Sequence, residues 1–238
     1  MKQIYLQPVI AIFSATRLLF KSWRAIAVMG AAYAGLLTSV YLFVSTREAT
    51  IPQLILTTAV VVIAPALFFL LQTATVTYTN EPVSRSLVKN CLRLMVVSVP
   101  VIGITVLGVY GLNKVQSYPT FVTALRYLLI GVFAPLLAIQ LWVAATGNGL
   151  RPVLRNLRKI VAKAFAPQSV LVYVCGFLIF AAAPYVLINE KITTDKAWLE
   201  FSLLMLRLSA SALLILLGWV STVGAISILN RGSYVIKE

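Results

Sequence analysis

The sequence has no histidine, only 6 acidic residues and only 2 cysteines in 238 positions. Without histidine, the commonest ligand for haem and zinc and the commonest proton-transfer base are both missing. No acid falls deep inside a long apolar stretch, and there is neither an HExxH pair nor a glycine-rich phosphate loop. Intramembrane hydrolysis and nucleotide-driven chemistry therefore have no visible apparatus. Cys91 is expected near a reducing face and Cys175 within an apolar run, so neither a disulfide nor a metal site is indicated. These absences predict a protein that is not an enzyme and carries no cofactor or metal.

What is plentiful is apolar: 61% of residues are hydrophobic and 11% charged, too greasy a balance for a soluble chain of this length. A hydrocarbon core about 30 Å thick takes roughly 20 helical residues to cross. Six windows qualify: 25 to 45, 53 to 74, 94 to 112, 121 to 145, 168 to 189 and 199 to 221. They lack the two-residue alternation of a lipid-facing barrel, and a helix satisfies its backbone polar groups within one segment. The expected fold is all-α, a polytopic transmembrane helical bundle forming one membrane domain over 1–238. Ala32-Tyr33-Ala34 has the small residues of a leader cleavage site. The long, scattered basic stretch before it does not have a leader's layout, and the chain is read whole.

Charge orients the bundle. Segments 1 to 24, 75 to 93, 146 to 167 and 222 to 238 hold 14 Lys or Arg, against Glu81 and Glu238, a net +12 of the total +14. The intervening loops hold Arg47, Lys114, Lys191 and Lys196, balanced by Glu48, Glu190, Asp195 and Glu200. The positive-inside rule then places both termini in the cytoplasm, and a bacterial cytoplasmic membrane is the expected setting. The basic patches are short, adjoin membrane spans and lack interleaved stacking aromatics, so membrane lipid, especially anionic lipid, is the expected partner and nucleic acid is not. Other membrane-protein subunits are a further expected partner.

Basic residues recur at helical spacing ahead of each pair of spans. Arg17, Lys21 and Arg24 lie on one face of 9 to 24; Arg85, Lys89 and Arg93 follow Asn80-Glu81-Pro82; Arg155, Arg158, Lys159 and Lys163 follow Pro152. Each stretch sets its cations against an apolar face, which predicts three amphipathic helices in the interface. Pro82 and Pro152 are 70 residues apart, and Ala64-Pro65 recurs as Ala134-Pro135 after the same interval. A threefold plan over 8–78, 80–146 and 148–230 follows, each unit a surface helix and an out-and-back pair.

Arg126 and Arg207 are the only charges deep inside the windows. A lone guanidinium in hydrocarbon costs a few kcal/mol or more, so each must snorkel, face water or find a partner. They either reach the outer headgroups or converge on a cavity favouring a carboxylate or phosphate; Arg207 also has Glu200 as a candidate partner. Pro65, Pro100, Pro135 and Pro184 are expected to kink spans or serve as packing elements. Gln72, Gln140, Thr57, Thr58, Thr73 and Thr75 are expected to make interhelical hydrogen bonds. Ala27, Ala31 and Gly35, with Gly30 and Ala34, form a small-residue face for another helix, of this chain or of another subunit; Gly103, Gly108, Ser211, Gly218 and Thr222 are further candidates.

Two functions fit. One is a scaffold, accessory subunit or membrane-organising factor with a basic lipid- or partner-binding face. The other is a transporter or channel for a small anionic solute recognised by Arg126 and Arg207, although no intramembrane acid is present to couple it. The topology is checked by cysteine labelling: the 146 to 167 connector should label from the same side as the amino terminus, and labelling from the opposite side would break the six-span arrangement.

Overall fold

In the computed structural model, residues 2–46, 50–79, 87–114, 119–190 and 196–230 are described. They form nine helices and, among the described residues, no strand. The helices are α1 (Lys2–Lys21), α2 (Trp23–Ser45), α3 (Ile51–Thr77), α4 (Leu87–Asn113), α5 (Pro119–Asn148), α6 (Leu150–Arg155), α7 (Leu157–Ala164), α8 (Pro167–Asn189) and α9 (Ala197–Asn230). Six of them, α2, α3, α4, α5, α8 and α9, are long and apolar enough to cross a membrane. The chain is an all-α, multi-pass membrane protein.

Each outgoing span packs most extensively on the span that returns after it: α2 on α3, α4 on α5, α8 on α9. The returning helices α3, α5 and α9 also touch one another in all three pairings, so they form the centre. The lead-in helices dock elsewhere: α1 lies against α9 and α7 against α5. A side-chain hydrogen bond from Gln168 to Gln7, 2.8 Å, ties the start of α8 to α1 at the same end. Most of the described cations gather there, and it is the basic end of the bundle.

The core sits at the basic end. Leu71 to Val76 on α3, Ala138 to Ala145 on α5 and Thr222 to Ser227 on α9 are continuously buried. By contrast, the opposite half of each returning span is largely exposed, as at Ile51, Leu54 and Ile55 on α3 and Phe201, Leu204 and Leu206 on α9. Helix α9 has 34 residues, about 51 Å at 1.5 Å per residue, well beyond a hydrocarbon core of about 30 Å. Its excess length runs into the basic end, where α1 covers it through Ala11, Ala15 and Leu19, one buried stripe at fourfold spacing.

Small residues allow this close packing. A Cβ on Gly224 would collide with the Tyr78 hydroxyl, and one on Gly176 with the Thr222 side chain. Tyr78 is itself buried and donates toward the carbonyls of Ala15, 3.3 Å, and Val220, 3.5 Å, so it joins α1, α3 and α9. Deeper in the basic end, Gln140 donates to Ser169, 3.2 Å, and accepts from Asn230, 3.0 Å, linking α5, α8 and α9.

Two spans contain a π-helical turn just before an Ala-Pro pair: Leu129–Phe133 before Ala134-Pro135 and Leu178–Ala182 before Ala183-Pro184. Proline has no N–H, so Pro135 leaves the carbonyl of Gly131, four residues earlier, without its regular partner. The Tyr173 hydroxyl donates to that carbonyl at 2.5 Å. Pro65 and Pro100 sit inside α-helices with no such turn.

Several expectations change. The second surface helix is not separate in its described part: Lys89 and Arg93 lie on α4, which runs unbroken into the third span, while Arg85 and 80–86 fall outside the described residues. Arg24 belongs to the first turn of α2, because Ser22 (φ −105, ψ 69) breaks the helix after Lys21. The third surface helix is divided at Asn156, whose backbone leaves the helical region (φ −110, ψ 21).

On α2 the buried side is Ala25, Met29 and Ala32, whereas Ala27 and Ala31 are exposed and nothing lies within 4 Å of a Cβ placed on Gly30. Gly35 does meet a neighbour, Leu67 of α3, and Gly108 and Gly218 admit Leu129 and Phe180. Gln72 and Gln140 make interhelical bonds. Thr58, Thr73 and Thr75 bond to carbonyls four residues earlier on their own helix; of these Thr75 also reaches Met29 Sδ on α2 at 3.5 Å, and Thr73 also bonds the Cys91 side chain on α4. The Thr57 hydroxyl is buried with no partner among the described residues.

Two substitutions test this packing. Tyr173→Phe should lower stability by about 1–3 kcal/mol by stranding the Gly131 carbonyl, and Gly224→Val by a similar amount through overpacking against Tyr78. Gly103→Ala should be near neutral, since nothing lies within 4 Å of its Cβ position. Thermal unfolding in one detergent compares the three.

Candidate functional site

Arg207 lies on α9 and faces the end of α8. Its Nε donates to the carbonyl of Leu187 at 2.7 Å, and Nη2 donates to those of Ile188, at 3.2 Å, and Glu190. The last carbonyls of a helix have no partner within it, and a cation there also complements the negative end of the helix dipole. Arg207 therefore caps the fifth span through the main chain, and its donors go to the backbone at 187 to 190 rather than to the Glu200 carboxylate.

Arg126 lies on α5 and donates through Nη2 to the side-chain oxygen of Asn113, in the last turn of α4. Its Nε is buried and has no hydrogen-bond partner among the described residues. The two arginines thus hold separate partners, each within its own hairpin. Both sit well inside a returning span and reach back to the last residues of the outgoing one. That is the outward reach expected of a long cationic side chain below a membrane boundary. The hairpin itself was the available signal for the partners, because a short connection puts the end of the outgoing helix beside the start of the returning one.

The cations at the basic end are spread over five helices. Arg17 and Lys21 on α1, Arg24 on α2, Lys89 on α4, Arg155 on α6, and Arg158 and Lys159 on α7 are exposed. Arg93 is half-buried, donates to Asn90 at 3.4 Å and lies against Gly149, whose φ of +80 turns the chain from α5 into α6. Lys163 is also half-buried, and burial, then the charge of Lys159, hold its ammonium below the ordinary lysine pKa. Helices α6 and α7 carry three stripes: Val153, Ile160 and Ala164 buried, Leu154, Leu157 and Val161 exposed and apolar, and Arg155, Arg158 and Lys159 exposed and basic.

Sequence reasoning missed the remaining feature, a cleft of about 570 Å³ between α2, α3, α4, α5 and α9. Its walls are apolar, and neither Arg126 nor Arg207 lines it. The polar atoms at its floor are paired: Trp142 donates to Ser98 and Trp219 to Gln72, each at 2.8 Å. At the floor Leu71 and Trp142 are buried; toward the other end Ile102, Val106 and Ile130 are about half exposed or more. No one-dimensional pattern marks such a cleft, because its residues come from five helices.

No protein-family model, curated protein or solved structure matches this chain. The functional reading therefore rests on geometry and charge.

The capping role of Arg207 is directly measurable. Arg207→Gln should lower thermal stability by about 1–2 kcal/mol, because the helix-end carbonyls lose a charged donor, whereas Glu200→Gln should leave it within about 0.5 kcal/mol. Equal effects of the two substitutions would contradict the cap.

Proposed function

We propose that this chain is a non-catalytic integral membrane protein, a scaffold, accessory subunit or membrane-organising factor, whose basic end faces the cytoplasm and binds anionic lipid or a partner subunit. The observation that carries this reading is the triple striping of α6 and α7. One stripe is held on the bundle, a second offers hydrocarbon to the interface, and the third offers cations to headgroups. Each Lys or Arg near an anionic leaflet contributes about 1 kcal/mol, so the exposed cations of α1, α2, α6 and α7 together form a strong surface attraction. Burial disfavours the charged form of Lys163, and a nearby anion favours it.

This reading is favoured over passage of a small anionic solute by two features. The cleft has apolar walls, and Arg207 directs its donors to main-chain carbonyls. The basic face would dock a larger assembly through the same surface that meets lipid.

Replacing Arg155, Arg158, Lys159 and Lys163 together by Gln should deplete anionic lipid from the purified protein, or reduce the size of its native complex, while helicity is retained. Native mass spectrometry reads both quantities. Unchanged lipid content together with unchanged complex size would reject the proposal.

A further inference from the structure

Arg126 lies one turn along α5 from the nearest residue of the cleft. On α5 the cleft is lined by Ile130, Ala134, Ala138 and Trp142, a stripe at fourfold spacing, and Arg126 is the next position on that stripe beyond Ile130. On α4 the lining runs from Ser98 through Ile102 to Val106, and Asn113, two turns farther, holds Arg126. The Arg126–Asn113 bridge therefore lies along the chain beyond the end of the cleft at which Ile102, Val106 and Ile130 are exposed. From Ile130 to Trp142 is about 18 Å at 1.5 Å per residue, close to the roughly 15 Å depth of one leaflet's hydrocarbon.

Charge at this end is uncompensated within its own hairpin. No Asp or Glu occurs anywhere from Leu87 to Asn148. Lys114 follows Asn113, exposed, with its ammonium 4.7 Å from the Tyr110 ring centroid. Arg126 keeps one buried donor, Nε, with no partner among the described residues. Cations beyond one end of an uncharged apolar cleft are complementary to one kind of molecule: an anionic head on a long hydrocarbon chain.

We propose that the cleft binds one acyl chain of a phospholipid from the leaflet opposite the basic end, with Arg126 and Lys114 receiving its phosphate. The bound chain fills space that the splayed spans leave open, and the phosphate accepts hydrogen bonds from the guanidinium. This site is separate from the basic face and does not depend on the function proposed for it.

Trp142 and Trp219 line the cleft and can report on it. The full chain carrying Trp23→Phe and Trp198→Phe, which leaves those two as its only tryptophans, is titrated in detergent with phosphatidylglycerol brominated along one acyl chain. Matched brominated diacylglycerol, lacking phosphate, and inorganic phosphate as competitor are run alongside. Saturable quenching is expected, roughly ten-fold weaker for diacylglycerol and for Arg126→Gln, as for loss of one charge-assisted hydrogen bond. Arg126→Lys should retain most of the affinity, and inorganic phosphate should not displace the lipid. Absence of saturable quenching would overturn the chain site, and equal quenching by the two lipids in the arginine-bearing protein would overturn the phosphate contact. Displacement by inorganic phosphate would show that the head binds without the chain and would likewise overturn the proposal. The two-lipid comparison requires no substitution at Arg126, so it stands even where Arg126→Gln fails to fold.

Discussion

A backbone polar group released inside hydrocarbon has no water to turn to, and this constraint organises the bundle. Pro135 frees the carbonyl of Gly131, and Tyr173 from a different span meets it. The fifth span ends with open carbonyls, and Arg207 from the sixth meets those. In each case the interruption of one helix is answered by a neighbour, so the repair is also a link between helices. A charged residue deep in a span is thereby part of the fold before it is part of any activity.

The same dependence governs how the helices approach one another. Lipid offers little hydrophobic reward for bringing two apolar helices together, so contact follows shape and hydrogen bonds. At the basic end, Gly176 and Gly224 admit Thr222 and Tyr78, and α1 lays Ala11 and Ala15 on α9. The buried Gln140, Ser169 and Asn230 network holds three helices there. Toward the opposite end such devices thin out, the spans separate, and the apolar cleft opens between them.

The two ends offer different chemistry. At one, cations and apolar side chains are presented side by side by short helices held on a firm core. At the other, Arg126 is bridged to Asn113, Arg207 caps the fifth span, and an uncharged cleft lies between the spans. Apolar side chains beside cations at one end and an apolar cleft at the other are both surfaces complementary to amphiphiles rather than to small polar solutes.

The all-α bundle and its six spans were legible in the sequence because run length and charge frequency depend only on composition along the chain. So was the clustering of cations ahead of the spans, although Lys89 and Arg93 begin a span and the third basic helix breaks at Asn156. For Arg126 and Arg207 the need to reach outward was legible from their depth, but the atoms they reach were not: Asn113 and the carbonyls from 187 to 190 become partners only when each hairpin closes. Which side of α2 packs within the chain was not legible either. On α2 the structure buries Ala25 and Ala32 rather than Ala27 and Ala31, because which side of a uniformly apolar helix turns inward is decided by the neighbours it meets. Sequence by itself determined the solvent and the number of crossings. Only the tertiary structure decided which polar groups answer one another and where a cleft remains, because those depend on contacts between residues far apart in the chain.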